Sequence, residues 1–478
     1  MPNKYLVTIG IECHVQLKTK TKLFAAVGND ARNAEPNTLV SHICLGMPGA
    51  LPYLNEKAVE LACKAGFALQ VTPQKFSKFD RKHYFYPDLP KGYQISQFNH
   101  PIVLGGKVDI IVDGQPKTIG ITRAHLEEDA GKTTHPAGKD YSLVDLNRAG
   151  TPLLEIVSEP EIHSAAEAKA YVRELYLLMK YADVSDADLY HGNMRFDVNL
   201  SLSTELGKLG TRSETKNLNS FKSVERAAEY EIKRQTEILD KGGEVAQETR
   251  GWDDAKQKTI SQRGKEEAHD YRYFPDPDIP PIDLDDEYLA KAKADFDRKN
   301  YFIMRQQLAA VGHLSPADLD TLFNNSEAVD FAITLVEKNI KPSVAEKILD
   351  WVINVIPNII TDYSQLDQAK IGSLTVLATA IDEAKLVSTI AKDGVKKLFE
   401  DQHFDAEKFV SQNQTMSDEG EIEKIVQQVI ADNPKPAEDI RNGELKAVGF
   451  LVGQVMKASQ GKANPALAQK LIKKQLKV

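Results

Sequence analysis

The sequence has few cysteines and no long apolar run. Only three of its 478 residues are cysteine, the scattered Cys13, Cys44 and Cys63. This is too few for a disulfide framework and one short of a four-cysteine zinc site. No stretch reaches the ~18 apolar residues that span a bilayer, and the start MPNKYLVTIG lacks the cationic leader and apolar core of a signal peptide. We therefore expect a cytoplasmic protein with no membrane association.

The standard nucleotide-binding motifs are also missing. The segment Gly131-Lys132-Thr133 resembles the end of a P-loop, but Leu126 occupies the position of the first glycine and the residues between are acidic. The chain has neither a Gly-x-Gly-x-x-Gly after a strand nor a protein-kinase signature set. Any nucleotide site must therefore be of another type.

What is present is the composition of an ordinary globular protein. Hydrophobic residues make up 42% and charged residues 27% of the chain. A length of 478 residues is too great for one core and predicts roughly three domains. The formal charge of -9 argues against a uniformly basic nucleic-acid binder, although it does not exclude local basic patches.

The pattern of elements predicts an α+β protein in three parts. Residues 1–290 alternate strand patterns with glycine and proline turns, which indicates a mixed or antiparallel β-sheet domain with flanking helices. Four prolines within Phe274 to Pro281 can continue neither a helix nor an inner strand, so the first boundary is placed just after them. Residues 291–405 then predict an all-α domain, and residues 406–478 a small all-α tail domain.

The most informative strand pattern lies near the start, from Tyr5 to Leu17. Its odd positions are apolar and its even positions from Thr8 to Gln16 are small or polar, which is the period of a half-buried strand. The alternation places Glu12 and His14 on one face, roughly 6 to 7 Å apart. They are either solvated residues of an outer face or part of a site above the sheet.

A second strand with a polar face follows at Asn193 to Leu202, where Arg195 and Asp197 alternate with apolar residues. Helical spacing predicts helices that cover the sheet from outside, at Glu56 to Gln70, at Ala165 to Tyr181 after a Ser164 cap, and at Ser220 to Lys241.

Between the two strands, the segment Phe79 to Gln97 interleaves cations with aromatic rings, a mixture that suits phosphates and a stacked base. The alternative is a plain aromatic surface loop. Its candidate contacts, with two arginines from elsewhere, are Lys82, Tyr84, Lys91, Tyr93, Arg148 and Arg195.

A set of oxygen ligands with one imidazole can also be assembled from distant segments. The carboxylates Glu127, Glu128 and Asp129 are adjacent and repel one another unless solvated or neutralised by a cation. The proposed metal set is Glu12, His14, Glu127, Glu128, Glu155 and Asp197. This composition suits a hard divalent ion such as Mg²⁺ or Mn²⁺ that takes its remaining oxygens from a nucleotide. Phosphoryl transfer is therefore the leading chemistry.

The tail carries a local excess of positive charge. Residues 445–478 contain seven lysines and no Asp or Glu, and Asn464-Pro465 is a good helix start. The lysines either form a solvated face or contact a phosphate backbone. The candidate nucleic-acid contacts are Lys446, Lys457, Lys462, Lys470, Lys473 and Lys474.

Several motifs in this order resemble the family of B subunits of the bacterial tRNA-dependent amidotransferase. They are IGIECHVQL, FDRKHYFYPDLPKGYQISQ, HLEEDAGK, DLNRAGTPLLEIVSEP, MRFDVNLSL, ETKNLNSF, DYRYFPDPDIPP and KAVGFLVGQVMKASQGKANP. The resemblance covers essentially the whole chain. It implies a cradle-shaped first domain, a helical domain, and a small helical tail domain that grips tRNA.

The resemblance also implies a function. This family converts Glu-tRNA(Gln) to Gln-tRNA(Gln), or Asp-tRNA(Asn) to Asn-tRNA(Asn), as a carbon-nitrogen ligase with glutamine as amido donor. ATP and Mg²⁺ serve to phosphorylate the side-chain carboxylate, and ammonia then displaces phosphate. A glutaminase A subunit supplies the ammonia through a tunnel, and a small C subunit completes the heterotrimer. The chain itself has no glycine- and serine-rich amidase signature.

Residue roles follow from the same resemblance. Glu12, His14, Glu155 and one of Glu127 or Glu128 map onto metal-binding positions, and Asp197 is a weaker candidate. Glu12, His14 and Glu155 are the predicted catalytic residues.

One segment departs from the family pattern. Many relatives carry cysteines around the region that here runs from Phe24 to Gly46, typical of a structural metal knuckle. This sequence has Ala25, Ala26 and Val27 after Phe24, and only Cys44 remains. With three of four ligands missing, we predict no structural zinc there and a segment held by packing or by a partner.

Two other functions stay open. The chain could be a non-catalytic tRNA-binding adaptor whose carboxylates form a solvated face, or a free-standing ATP-dependent ligase. The sequence does not decide between Glu-tRNA and Asp-tRNA as substrate.

Overall fold

The computed structural model describes residues 4–264, 271–311, 314–415, 419–442, 444, 446–459 and 461–477. The chain forms two compact units, Met1–Tyr301 and Phe302–Val478. The first carries the sheet and the second is helical, which confirms the predicted α+β class with helical C-terminal parts. The boundaries at 290 and 405 stay predictions.

The first strand, β1, spans Leu6–Gln16, one residue shorter at each end than the predicted Tyr5 to Leu17. Ile9, Ile11, Cys13 and Val15 are almost completely buried, whereas the even positions from Thr8 to Gln16 are half-exposed. Successive side chains of a strand point to opposite faces, so one face of β1 builds the core and the other presents Glu12 and His14.

The remaining strands are short apart from two. Their bounds are β2 Phe76–Ser77, β3 Asp80–His83, β4 Tyr93–Ser96, β5 Val103–Leu104, β6 Lys107–Val112, β7 Gln115–Glu128, β8 Lys132–Thr134, β9 Leu143–Asp145, β10 Pro152–Ser158, β11 Met194–Ser203, β12 Ser213–Leu218, β13 Glu248–Asp253, β14 Lys258–Gly264, β15 Phe274–Pro275 and β16 Ile282–Asp283.

Twelve of these strands form one sheet in the order β14-β13-β12-β11-β1-β10-β7-β4-β3-β15, with β5 and β6 pairing with β7. Its pairings are antiparallel except for β12 with β13. The strand β1 is therefore central, between β10 and β11. The predicted second polar strand is β11, displaced by one residue from the bounds that the sequence predicts.

Four helices accompany the sheet: α1 Glu56–Ala68, α2 Ala165–Tyr181, α3 Phe221–Asp240 and α4 Asp286–Asp297. The Ser164 side chain caps α2 by accepting the N–H of Glu167, as predicted. Ser220 caps α3 in the same way. The helix α3 packs on β11 and α2 packs on β6.

The second unit is built from α-helices and two short 3-10 turns, Ile356–Asn358 and Tyr363–Gln365. The helices are α5 Tyr301–Ala309, α6 Pro316–Leu322, α7 Ser326–Glu337, α8 Pro342–Asn354, α9 Gln368–Asp382, α10 Ser388–Glu400, α11 Ala406–Gln412, α12 Glu419–Asp432, α13 Pro434–Arg441, α14 Ala447–Ala458 and α15 Pro465–Leu476.

The last four helices share one apolar core that includes Val426, Ile440, Leu451 and Leu471. The predicted start of α15 is confirmed, because Asn464 Oδ1 accepts the backbone N–H of both Ala466 and Leu467. Among the described residues, no helix has the length and apolar character needed to cross a membrane.

Candidate functional site

A row of polar side chains crosses four strands on the face of β1 opposite the core. In register, His125 on β7 lies beside Glu155 on β10, Glu155 beside His14 on β1, and His14 beside Arg195 on β11. Paired residues of antiparallel strands share a face. Segments up to 181 residues apart in the chain therefore meet on one surface.

The first acidic group of this face consists of His14, Glu127 and Glu155. The His14 Nε2 atom lies 3.6 Å from Glu127 Oε1 and 3.5 Å from Glu155 Oε2. One ligand atom from each residue lies within 4.8 Å of the others. Glu127 is buried, and its Oε2 atom has no hydrogen-bond partner among the described residues. Burying a carboxylate oxygen without a hydrogen-bond partner costs free energy unless a bound ion supplies the missing interaction.

The opposite charges of this group stabilise one another. Burial disfavours the charged imidazole of His14, but the hydrogen bond and charge of Glu155, with the charges of Glu127 and Asp197, raise its pKa to about 9. Burial likewise opposes ionisation of Glu155, yet His125 and His14 hold its pKa well below the usual value. Without a bound ion, His14 is therefore a cation among carboxylates.

The sequence reasoning did not select His125, which faces the same two carboxylates. Its Nε2 atom lies 3.6 Å from Glu155 Oε2 and 3.8 Å from Glu127 Oε2, and its Nδ1 atom is buried without a hydrogen-bond partner among the described residues. The available signal was the alternation His125-x-Glu127, which has the same spacing as Glu12-x-His14.

A second acidic group lies one pleat along β1 and consists of Glu12, Asp197 and Glu214, whose ligand atoms also lie within 4.8 Å of one another. Lys216 Nζ lies 2.9 Å from Asp197 and 3.2 Å from Glu214. The Asn199 amide donates to Glu12 Oε1 at 2.8 Å. The sequence reasoning missed Glu214 and Lys216, although both stand in the segment ETKNLNSF.

Opposite charges shift both partners in this group. Burial lowers the pKa of Lys216, but the charges of Asp197, Glu214 and Glu12 raise it on balance. Burial raises the pKa of Asp197, but Lys216, His14 and the backbone N–H of Asn217 lower it on balance. The second group is therefore already neutralised in part by an ammonium.

Glu128, the other candidate from the acidic run, is placed apart from both groups. Its carboxylate pairs with Lys91 and accepts the backbone N–H of Ile95 at 2.9 Å. Adjacent strand residues point to opposite faces, so only Glu127 can reach His14. Lys91 is consequently engaged by Glu128.

The remaining phosphate candidates lie in different surroundings. Arg148 and Arg195 both pair with Asp129 Oδ2, at 3.2 and 2.9 Å. Lys82 Nζ lies 4.8 Å from the centre of the Tyr271 ring. Tyr84 is near Gln94, its hydroxyl 3.4 Å from the amide oxygen. Arg195 is thus the one of these that belongs to the central row.

Aromatic rings border the first acidic group. Tyr273 stacks on Phe98 with ring centres 4.1 Å apart, and the Arg123 guanidinium lies 5.3 Å from the Phe98 ring. Burial and the charges of Glu127 and Glu155 raise the pKa of Tyr273. Tyr93 does not belong to this border, because its ring centre lies 4.3 Å from the guanidinium of Arg81.

The residues present fit a divalent cation. Carboxylate oxygens with one imidazole are ligands that Mg²⁺ and Mn²⁺ accept, and the buried Oε2 of Glu127 has no hydrogen-bond partner in the described part of the chain. The residues that could hold such an ion are His14, Glu127 and Glu155, with Glu12, Asp197 and Glu214 as a second set.

The segment that departs from the family cysteine pattern is held by packing. The Phe24 ring meets Phe79 edge-on, with centres 5.2 Å apart, and Cys44 is buried with its sulfur 3.4 Å from Ser41 Oγ. The absence of structural zinc stays a prediction.

The six tail lysines lie on or beside α14 and α15. Lys446, Lys457, Lys470 and Lys474 are exposed, whereas Lys462 and Lys473 are half-buried. The Lys462 ammonium donates to the backbone oxygen of Gln412 at 3.2 Å.

Comparison with known proteins covers nearly the whole chain. Residues 7–290 match the family described as the GatB/GatE catalytic domain, and residues 334–476 match the GatB domain. The B subunit of the aspartyl/glutamyl-tRNA(Asn/Gln) amidotransferase of Carboxydothermus hydrogenoformans is 42% identical over 99% of both chains. That of Nitratidesulfovibrio vulgaris (strain DP4) is 44% identical, again over 99% of both.

Proposed function

The chain belongs to the GatB/GatE family, and on that premise we propose that it is the catalytic B subunit of a tRNA-dependent amidotransferase. Its substrate is Glu-tRNA(Gln), Asp-tRNA(Asn) or both. It transfers the terminal phosphoryl group of ATP to the side-chain carboxylate of the misacylated amino acid. Ammonia then displaces phosphate, leaving the amide.

The observation that carries this proposal is the meeting of His14, Glu127 and Glu155 on one sheet face. Phosphorylating a carboxylate brings two anions together, so the site needs concentrated positive charge. A bound Mg²⁺ would supply that charge. The protein's part is to hold the ligand oxygens and the imidazole in fixed register on three neighbouring strands.

Other residues of the face are suited to orient the reactants. Arg195 lies beside His14 in the row, and Lys82 lies near enough to lower the pKa of Glu155 by its charge. Both are proposed to approach phosphate oxygens. The bordering rings of Phe98 and Tyr273 would limit water, which hydrolyses an acyl phosphate wastefully.

The complex would be completed by partners. A glutaminase A subunit supplies ammonia, a small C subunit joins the assembly, and the exposed tail lysines contact tRNA phosphates. The relatives are named as one lettered subunit of an amidotransferase, which supports a multi-subunit enzyme.

The test is Glu155→Gln in the complex co-expressed with the A and C subunits. We expect loss of tRNA-dependent ATP cleavage, with glutamine hydrolysis by the partner and tRNA binding retained. Full ATP cleavage by this variant would favour the non-catalytic adaptor instead. Amidation of Glu-tRNA by the isolated chain with ammonium salts would favour the free-standing ligase.

A further inference from the structure

A cavity of about 370 Å³ lies at the end of β1, beyond the two acidic groups. Part of its wall comes from residues 16–19, from the loop 29–32 and from residues 191 and 193, which precede β11. No residue of either acidic group lines it. Sites for small molecules measure ~300–1,000 Å³, so the cavity is large enough for a ligand of its own.

Two buried asparagines line this cavity, each with an unused acceptor. Asn29 is 5% and Asn193 is 8% exposed, and the Oδ1 atom of each has no hydrogen-bond partner among the described residues. An amide oxygen buried without a donor costs free energy. The cavity therefore lacks two donors that a ligand can supply.

The hydrogen bonds of the two side chains fix which end of each amide is free. The Nδ2 atom of Asn193 donates to Gln16 Oε1 at 3.0 Å. The Nδ2 atom of Asn29 donates to Thr19 Oγ1 at 3.2 Å. Rotating either amide by half a turn would remove that bond and place an oxygen against an oxygen. The groups without a partner are therefore the carbonyl oxygens.

Most charged side chains of the cavity already have partners. Arg32 pairs with Asp30 at 2.8 Å, and Lys18 lies 3.5 Å from Asp186. Lys132 also lines the cavity, but it is exposed and forms no ion pair in the described part of the chain. The cavity thus offers one ammonium group to an anionic group of a ligand.

A metal ion is not the ligand that this arrangement favours. Each acidic group on the sheet brings three ligand atoms within 4.8 Å of one another, whereas the carboxylates of the cavity form no such group in the part of the chain that the structure describes. A divalent cation needs converging oxygens. Neutral amide oxygens instead accept the N–H groups of an organic molecule.

The groups without partners together specify the chemistry of the ligand. Two amide oxygens require N–H donors, and the Lys132 ammonium requires an anion. An α-amino acid with a side-chain amide carries all three, namely an ammonium group, an amide N–H₂ group and a carboxylate. An amino acid with a side-chain carboxylate has only one N–H donor group and would place a second anion against an amide oxygen.

We propose that this cavity binds a free amide amino acid, glutamine or asparagine, through Asn29, Asn193 and Lys132. The inference goes beyond the function proposed above, because this binding needs neither ATP nor tRNA. Gln16 lies on the same face of β1 as His14, so the aminoacyl end of tRNA is the competing occupant.

Isothermal titration calorimetry of the full chain without partner subunits tests the proposal, since no glutaminase is then present to consume the ligand. The probes are L-glutamine and L-asparagine, and L-glutamate and L-aspartate are the matched acids. We expect one of the amides to bind about tenfold more tightly than its acid, because the acid leaves an amide oxygen without a donor. Equal binding of amide and acid, or no saturable binding of either amide, would overturn the proposal.

Variants of the lining residues locate the binding. Asn29→Leu and Asn193→Leu each replace an acceptor by an apolar side chain of similar shape, and Lys132→Gln removes the cation. Each should weaken binding of the amide about tenfold. Lys139→Gln, at an exposed lysine outside the cavity, is the control and should bind as the parent protein does.

Matching melting temperatures verify that the variants are folded. Lys132 is exposed, so its variant remains informative if an asparagine variant is unstable. Parent affinity in Lys132→Gln and in the folded asparagine variants would place the amino acid elsewhere.

The outcomes also separate this site from the proposed reaction. Binding of the amide by a chain whose complex does not cleave ATP would uphold the cavity and contradict the proposed function. ATP cleavage with a raised KM for aminoacyl-tRNA in Lys132→Gln, and no binding of free amino acids, would give the cavity to the tRNA end.

Discussion

His125 Nε2 lies 3.6 Å from Glu155 Oε2, because the two residues face each other in register across β7 and β10. Glu155 thus stands between two imidazoles, His125 on one side and His14 on the other. His14 belongs to the proposed metal set. His125 lies outside that set and can orient the carboxylate of Glu155, which belongs to it. Partners of this kind typically change metal affinity 10–100-fold.

The first prediction concerns that orienting role. His125→Asn should lower the apparent affinity for Mg²⁺ about 10-fold or more, because Glu155 loses its second partner. The measurement is the rate of tRNA-dependent ATP cleavage against Mg²⁺ concentration, where excess Mg²⁺ should restore most of the rate. His135→Asn, at an exposed histidine near β8, is the matched control. Equal Mg²⁺ dependence in both variants would show that His125 does not act on the metal group.

The second prediction follows from the charge on His14. A metal ligand must be a neutral imidazole, but the pKa of His14 in the free protein is raised to about 9. Binding must therefore displace a proton, and the affinity for Mn²⁺ should rise about tenfold per pH unit at neutral pH and level off above pH about 9.

Mn²⁺ titration by electron paramagnetic resonance at several pH values measures this dependence. His14→Asn should bind more weakly at high pH and lose the slope, because asparagine carries no titrating proton. A slope that persists in this variant would assign the proton to another group.

The third prediction concerns Lys216, whose Nζ atom lies 2.9 Å from Asp197 and 3.2 Å from Glu214. Lys216→Met removes the ammonium that pairs with two buried carboxylates, a loss on the order of 3 kcal/mol. The melting temperature of the first unit should fall. If the second group binds Mg²⁺, adding the ion should raise the melting temperature of the variant more than that of the parent protein.

Lys208→Met, at an exposed lysine paired with Glu205, is the control and should melt as the parent protein does. If the Lys216 variant is destabilised and Mg²⁺ does not raise its melting temperature, the second group is an internal ion pair that does not bind the metal.

The fourth prediction addresses the exposed lysines of the tail. Replacing four of them by glutamine should weaken tRNA binding and reduce the slope of log affinity against log salt by about 1 for each phosphate that is no longer neutralised. The four are Lys446, Lys457, Lys470 and Lys474. Filter binding at several salt concentrations measures the slope, and four lysine-to-glutamine changes in the first unit, at Lys57, Lys139, Lys208 and Lys241, match the charge. Equal slopes for the two variants would assign tRNA binding elsewhere.

The fifth prediction tests the start of α15. Asn464→Ala removes the side chain that accepts two backbone N–H groups, which costs about 1 kcal/mol. Hydrogen exchange in residues 465–476 should quicken, while exchange in α2 stays unchanged. Asn464→Asp retains the accepting oxygen and should keep the parent rates.

Local sequence patterns were sufficient to predict the helices and strands around the site. The parity of β1 is visible in consecutive residues, and so is the Ser164 cap of α2, because side-chain alternation and capping depend on neighbours in the chain. The same patterns also placed Glu12 and His14 on a common polar face.

The choice between Glu127 and Glu128 could not be made in this way. Parity says that the two point to opposite faces, but which face carries His14 is fixed only when β7 pairs with β10 and β10 with β1. A shift of one residue would have exchanged their positions, since the side-chain period of a strand is two.

The sequence by itself determined the secondary structure around the site, its acidic character and, through long motifs, the family. Only the tertiary structure decided that His125 joins Glu155, that Glu214 and Lys216 complete a second group with Asp197, and that Glu128 turns away to Lys91. The physical reason is that local propensity acts over a few residues, whereas these partners are brought together by strand register across a sheet whose burial is a property of the whole chain.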